Sequence, residues 1–307
     1  MDLKLILIKK LPEIKLNSLN AYVSNINKLN KNKPYDNIDF ILNVDNIKKI
    51  VSDKKISTQR NYFMSCFIVL KALDPEKYKN EIKEYHSLSK KIQQNINEDY
   101  KKHEMTPKEN ENWLSCDELH IIFNKYEKLN SMLYQNFDFT LTNAQKKDLL
   151  YYMIASLYTL HSPLRLDWAT LKVIKYKKEM NNEENFLLDS SKYKKVVYLN
   201  DFKNVKSLGP QIIEISKELC KVINLYRKYN KNEYFLNNFS GEKMTTNVLS
   251  KTISKVFFLN GKHANLNMIR KCKIKTEINF KEVQTSEKLA GEMLHAPATQ
   301  QKVYLKH

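Results

Sequence analysis

The sequence predicts a mainly α protein with a small antiparallel β-sheet, an α+β fold divided into two domains. Three observations lead there. Apolar residues recur at helical spacing over most of the 307 residues; the interval from Lys172 to Ile215 breaks into short branched and aromatic runs; and one charged stretch, Lys101 to Asn112, has almost no apolar content.

The first helical pattern is Leu19, Tyr22, Val23, Ile26 and Leu29. A second starts at Ser57, a residue suited to capping, and runs through Tyr62, Phe63, Cys66, Phe67 and Leu70 to Asp74-Pro75, where the proline disfavours helical geometry in the residue before it. Ile82, Tyr85, Leu88, Ile92 and Ile96 continue the periodicity. KKHEMTPKENEN, residues 101–112, then reads as an exposed connection, so a helical domain is expected over 1–105 and a second domain over 106–307, with the linker at its start.

In the second domain, Cys116 to Leu129 and Asn143 to Leu160 read as helices, with Asn143 as a cap for the latter. Phe186–Leu188, Val196–Leu199 and Ile212–Ile215 are the expected strands. Helical spacing returns in Leu219, Val222, Ile223 and Tyr226, then in Val248, Leu249, Ile253, Val256 and Phe257, and persists to the end.

Fifty-two Lys and Arg against 34 Asp and Glu give a formal charge of +18 and a pI near 9.4, which favours a polyanionic partner, nucleic acid first. The longest apolar run, Leu149 to Leu160, is too short to span a membrane. Met1-Asp2-Leu3-Lys4 lacks the pattern of a secretion signal, so an intracellular protein is expected. Cys66, Cys116, Cys220 and Cys272 form no CxxC pair and are expected to be reduced and partly buried. With four glycines in the chain, a phosphate-cradling loop is not expected, nor a nucleotide, cofactor or metal.

Five residues stand in a telling order. Arg165 lies in HSPLRLDWATLK, Lys203 near a turn of the sheet, Arg270 in LNMIRK, and His295 and Tyr304 in LAGEMLHAPATQQKVY, nine residues apart. This order resembles the tyrosine recombinase (phage-type integrase) family, with its Arg, hairpin Lys, His-x-x-Arg, Leu-Gly-His and terminal Tyr. The Lys-, Asn- and Ile-rich composition and the SPLRLDW segment are most similar to versions from AT-rich DNA viruses and mobile elements.

The resemblance implies a helical core-binding domain and a catalytic domain closing as a C-shaped clamp on double-stranded DNA, with a homo-tetramer joining two duplexes. It implies that Tyr304 attacks a phosphodiester and stores the bond as a 3′-phosphotyrosyl link. Arg165 and Arg270 would bind the phosphoryl oxygens, Lys203 (or Lys206) would protonate the leaving oxygen, and His295 would assist. Asn267 occupies the first position of His-x-x-Arg, and its amide cannot shuttle a proton at neutral pH. Three residues separate Gly291 from His295, where the family usually has none. A type IB topoisomerase would use the same residues, and a DNA-binding relative that has lost the reaction would account for Asn267. Asp167, His161 and His263 are read as structural, and the basic run Lys271 to Lys275 as a DNA-facing helix.

Overall fold

The computed structural model describes residues 2–101, 104–135, 140–191 and 194–277. It is mainly helical with a four-stranded and a two-stranded sheet, an α+β fold, and separates into two compact units, Met1–Met105 and Thr106–His307.

The first unit contains α1 (Leu3–Lys10), α2 (Leu16–Leu29), α3 (Val44–Val51), α4 (Ile56–Leu73) and α5 (Lys79–Lys101). Leu7, Ile26, Ile47, Phe63 and Leu70 form its core, and Tyr85 crosses that core to donate its hydroxyl proton to the Ile41 carbonyl at 2.7 Å. The α4 periodicity matches the sequence reading but its cap does not. Lys55 is the N-cap and makes no side-chain capping bond, so Ser57 lies within the helix. Asp74 ends α4, as the following proline requires.

In the second unit, α6 (Pro107–Asn112) occupies much of the expected linker. Thr106 and Glu109 form a reciprocal capping box with Pro107 in the first turn, a local signal that the low apolar content obscured. α7 (Cys116–Asn130) starts on the same device, Ser115 with Glu118. α8 (Asn143–Thr159) starts on Thr142 with Gln145, so Asn143 is a helical residue and not the cap. α8 is buried all round from Leu149 onward, which makes it the central helix of the unit.

The sheet has the order β1 (Leu171–Ile174), β2 (Asn185–Leu188), β3 (Val196–Leu199), β4 (Gln211–Glu214). β2, β3 and β4 pair antiparallel, with Leu187 opposite Val197 and Tyr198 opposite Ile212. β1 is an addition to the sequence reading and joins parallel to β2. Leu171, Leu187, Val197 and Leu199 face the main core, whereas Phe186, Leu188, Val196 and Tyr198 form a second cluster on the other face. Burial on both faces explains why β2 and β3 are continuous apolar runs without alternation.

α9 (Val205–Leu208) interrupts the β3–β4 connection and ends at Gly209, whose φ of +68° suits a residue without Cβ. α10 (Lys217–Tyr229), α11 (Thr246–Val256), the two-stranded β5 (Phe258–Leu259) and β6 (Lys262–His263), and α12 (Leu266–Glu277) complete the described chain. No helix among the described residues is long and apolar enough to cross a membrane.

Candidate active site

Arg165 follows the buried end of α8 and is fixed from both sides. Tyr158, fully buried on α8, donates its hydroxyl proton to the Arg165 carbonyl at 2.9 Å. After Arg165, a 3₁₀ turn spans Asp167–Thr170, and within it Trp168 is sealed against Phe235 and His161. The chain is thus anchored on either side of Arg165, whose side chain is half-buried.

Arg270 arrives from the other end of the unit. Asn265 accepts the Met268 amide at 3.1 Å at the start of α12, and Met268, Ile269 and Cys272 turn into the core. That leaves Arg270 half-buried, with exposed Asn267 three residues earlier on the same helix face. Arg165 and Arg270 come close enough for their charges to act on one another: burial first, then the neighbouring Arg165, lowers the guanidinium pKa of Arg270, and Asp167 and Tyr158 oppose that shift.

Asp167 belongs to this cluster as well. Burial raises its carboxyl above the usual carboxylate range, while its own backbone hydrogen bond and both arginines pull the other way. One carboxylate near two guanidiniums offsets part of their repulsion and leaves the group with a net positive charge, which suits a phosphodiester. In sequence its distance from Arg165 was the only cue, and a structural reading was natural. Tyr158 is no nucleophile, since burial pushes its phenol pKa well up and its proton is committed to the Arg165 carbonyl.

The turn that carries Lys203 is tied to the turn that carries Arg165 through one side chain. Asn185, 3% exposed at the start of β2, donates to Thr170 Oγ1 at 2.8 Å and to the Asp201 carbonyl at 2.7 Å. Its Oδ1 accepts the amides of Asn200 at 2.8 Å and Asp201 at 2.9 Å. Asp201 in turn adds to the field around Asp167. Lys203, two residues on, is exposed in this connection, as is Lys206 on α9. By contrast Lys195, at the β2–β3 turn, is buried and spent on Asp189, with Arg227 nearby.

The structure therefore brings Arg165 and Arg270 near enough to interact, with Asn267 one turn before Arg270 on α12, and ties the Lys203 connection to the turn that follows Arg165. His295 and Tyr304 lie outside the described residues. No family model and no curated protein matches the chain. Its structure is similar to the crystal structure of XerA recombinase over 91% of this chain and 86% of that one, at 12% identity and a TM-score of 0.35. So loose a likeness carries no part of the argument.

His161 and His263 make local contacts: His161 Nδ1 bonds the Ser162 carbonyl at 2.7 Å, and the His263 ring lies tilted against Phe258 with centroids 4.5 Å apart. The basic run on α12 is partly spent on protein contacts, Lys271 pairing with Glu109 and Lys275 Nζ lying 5.4 Å from the Trp113 ring centroid. Among the described residues, no three His, Cys, Asp or Glu side chains gather as a metal site would require.

Proposed function

We propose that the protein is a DNA strand-transferase of the tyrosine recombinase type, a site-specific recombinase or integrase of a virus or mobile element. The observation that carries this reading is the convergence of Arg165 and Arg270, from distant parts of the chain, beside Asp167 and the tethered Lys203 turn. Two guanidiniums with one half-buried carboxylate suit a group that gains negative charge in its transition state.

In this mechanism the Tyr304 hydroxyl oxygen attacks phosphorus in line, and the bond from phosphorus to the 5′-oxygen breaks. His295 receives the phenolic proton and Lys203 protonates the leaving 5′-oxygen. Arg165 and Arg270 hold the phosphoryl oxygens throughout. Attack by a second 5′-hydroxyl on the 3′-phosphotyrosyl bond reverses the proton transfers, frees Tyr304 and rejoins DNA. The bond energy is conserved, so neither a nucleotide nor another cofactor is needed. The +18 charge supports binding to duplex phosphates by counterion release, and two duplexes held by a homo-tetramer complete the proposal for an intracellular protein.

A duplex nicked beside the cognate cleavage position traps the intermediate, because the short downstream strand diffuses away. The expected outcome is an SDS-resistant adduct between protein and DNA that Tyr304→Phe does not form. Exposed Asn267 favours a second reading, a DNA-binding relative without the reaction, for which duplex binding without any adduct is the expected result. Rapid relaxation of supercoiled plasmid lacking a cognate site would instead mark a type IB topoisomerase.

A further inference from the structure

The fold brings together two of the four cysteines. Cys116 opens α7 and Cys272 lies on the buried side of α12; their sulfurs are 3.2 Å apart, closer than two unbonded sulfurs normally rest. All four cysteines are free thiols, and among the described residues neither Cys66 nor Cys220 contacts another cysteine. Cys116 is half-buried and also bonds Thr276 Oγ1 at 2.9 Å.

The pair sits within a clasp between α12 and the start of the unit. Lys271 pairs with Glu109, Lys275 lies over Trp113, and Lys262, on the β-strand just before α12, pairs with Glu118 at 2.7 Å. α12 also carries Arg270, two residues before Cys272. A covalent link at this point therefore acts on the support of one of the two clustered arginines.

We infer that Cys116 and Cys272 form a redox-responsive pair, which a peroxide converts into an intramolecular disulfide that locks α12 onto the start of α7. The Cys116 sulfur attacks one peroxide oxygen, the O–O bond breaks, and a sulfenic acid and one water result. The Cys272 sulfur then attacks the Cys116 sulfur, the S–O bond breaks, and the hydroxyl leaves with the Cys272 proton as a second water. Two thiols lose two electrons and the peroxide gains them. Half-buried Cys116 is the thiol that a peroxide reaches first, and buried Cys272, which burial keeps protonated at rest, gives up its proton as it attacks the sulfenic acid.

A disulfide is about 2.05 Å long, so closing it brings the two sulfurs roughly an ångström nearer, through rotation of the cysteine side chains together with any shift of α12 toward α7. Any shift of α12 is passed to Arg270, two residues before Cys272, while Arg165 stays on the α8 frame. The effect of that displacement on phosphate binding rests on the strand-transferase reading; formation of the bond does not.

The test treats the reduced full-length protein with hydrogen peroxide, alkylates the remaining thiols, and maps peptides by mass spectrometry without reductant. The expected result is one intramolecular link, Cys116 to Cys272, with Cys66 and Cys220 still alkylated and the link reversed by dithiothreitol. No link, a link to any other cysteine, or one between two molecules overturns the inference. Cys116→Ser should abolish the link; should that variant fold poorly, the wild-type map decides alone.

In the adduct assay, oxidation should lower the yield about tenfold or more, as small misplacements of a phosphate-binding group can, with recovery in dithiothreitol and no response in Cys116→Ser. An undiminished yield from linked protein overturns the effect on Arg270. If even reduced protein forms no adduct, the strand-transferase reading fails while the peptide map still decides the thiol pair.

Discussion

Arg165 and Arg270 reach one place on supports of different kinds. Arg165 stands on a frame buried in the core, with the Tyr158 hydroxyl on one side and sealed Trp168 on the other. Arg270 stands on α12, whose inner face packs on the core and sets Cys272 against Cys116, and whose outer face is held by the Lys271–Glu109 ion pair and by Lys275 over Trp113. Polar contacts at a surface are worth little singly and respond to salt, acid and oxidant, whereas buried packing responds to none of these strongly. The paired arginines thus combine a fixed member with an adjustable one.

Substitutions should separate the two supports by size of effect. Trp168→Ala empties the space beneath the Arg165 turn and is expected to cost about 3–5 kcal/mol in urea unfolding. Asn185→Ala removes a buried side chain that bonds the Thr170 and Asp201 turns together, and a loss of roughly 1–3 kcal/mol is expected. A loss well under 1 kcal/mol would mean that the Lys203 turn is held by something other than Asn185. On the adjustable side, Lys271→Ala should cost at most about 1 kcal/mol, and less in high salt. If it cost as much as Trp168→Ala, the contrast would collapse.

Acid offers a finer probe of the clasp. The hydrogen bond from Lys271, followed by the Thr106 amide, holds the Glu109 carboxyl below its ordinary value. A depressed folded pKa contributes stability that is fully present above the unfolded value of about 4.3 and is lost as pH falls through the folded value. The stability difference between wild type and Glu109→Gln should therefore be present at neutral pH and disappear in acid below that range. A difference that grows on acidification contradicts the assignment.

What the sequence made legible follows from the range of each signal. Helical periodicity is local, so α2, α4, α5, α7, α8, α10 and α11 can be read from their apolar spacing. Caps depend on one or two side chains among several candidates, and Thr142 and Lys55 took the places that Asn143 and Ser57 suggested. α6 was hidden because a capping box can start a helix with no apolar face. The spacing of Arg165, Arg270, His295 and Tyr304 was visible at once, since it is a matter of order along the chain. The roles of Asp167 and Asn185 and the meeting of Cys116 with Cys272 arise only when distant segments pack, and no spacing rule reaches them.

The most direct test of the central claim is covalent trapping on a nicked duplex carrying the cognate site, with wild type compared to Arg165→Ala, Arg270→Ala and Tyr304→Phe. The expected result is an SDS-resistant adduct for wild type, at least about a hundredfold less for either arginine variant, and none for Tyr304→Phe. An adduct that survives Tyr304→Phe, or arginine variants that react as wild type does, would contradict the account.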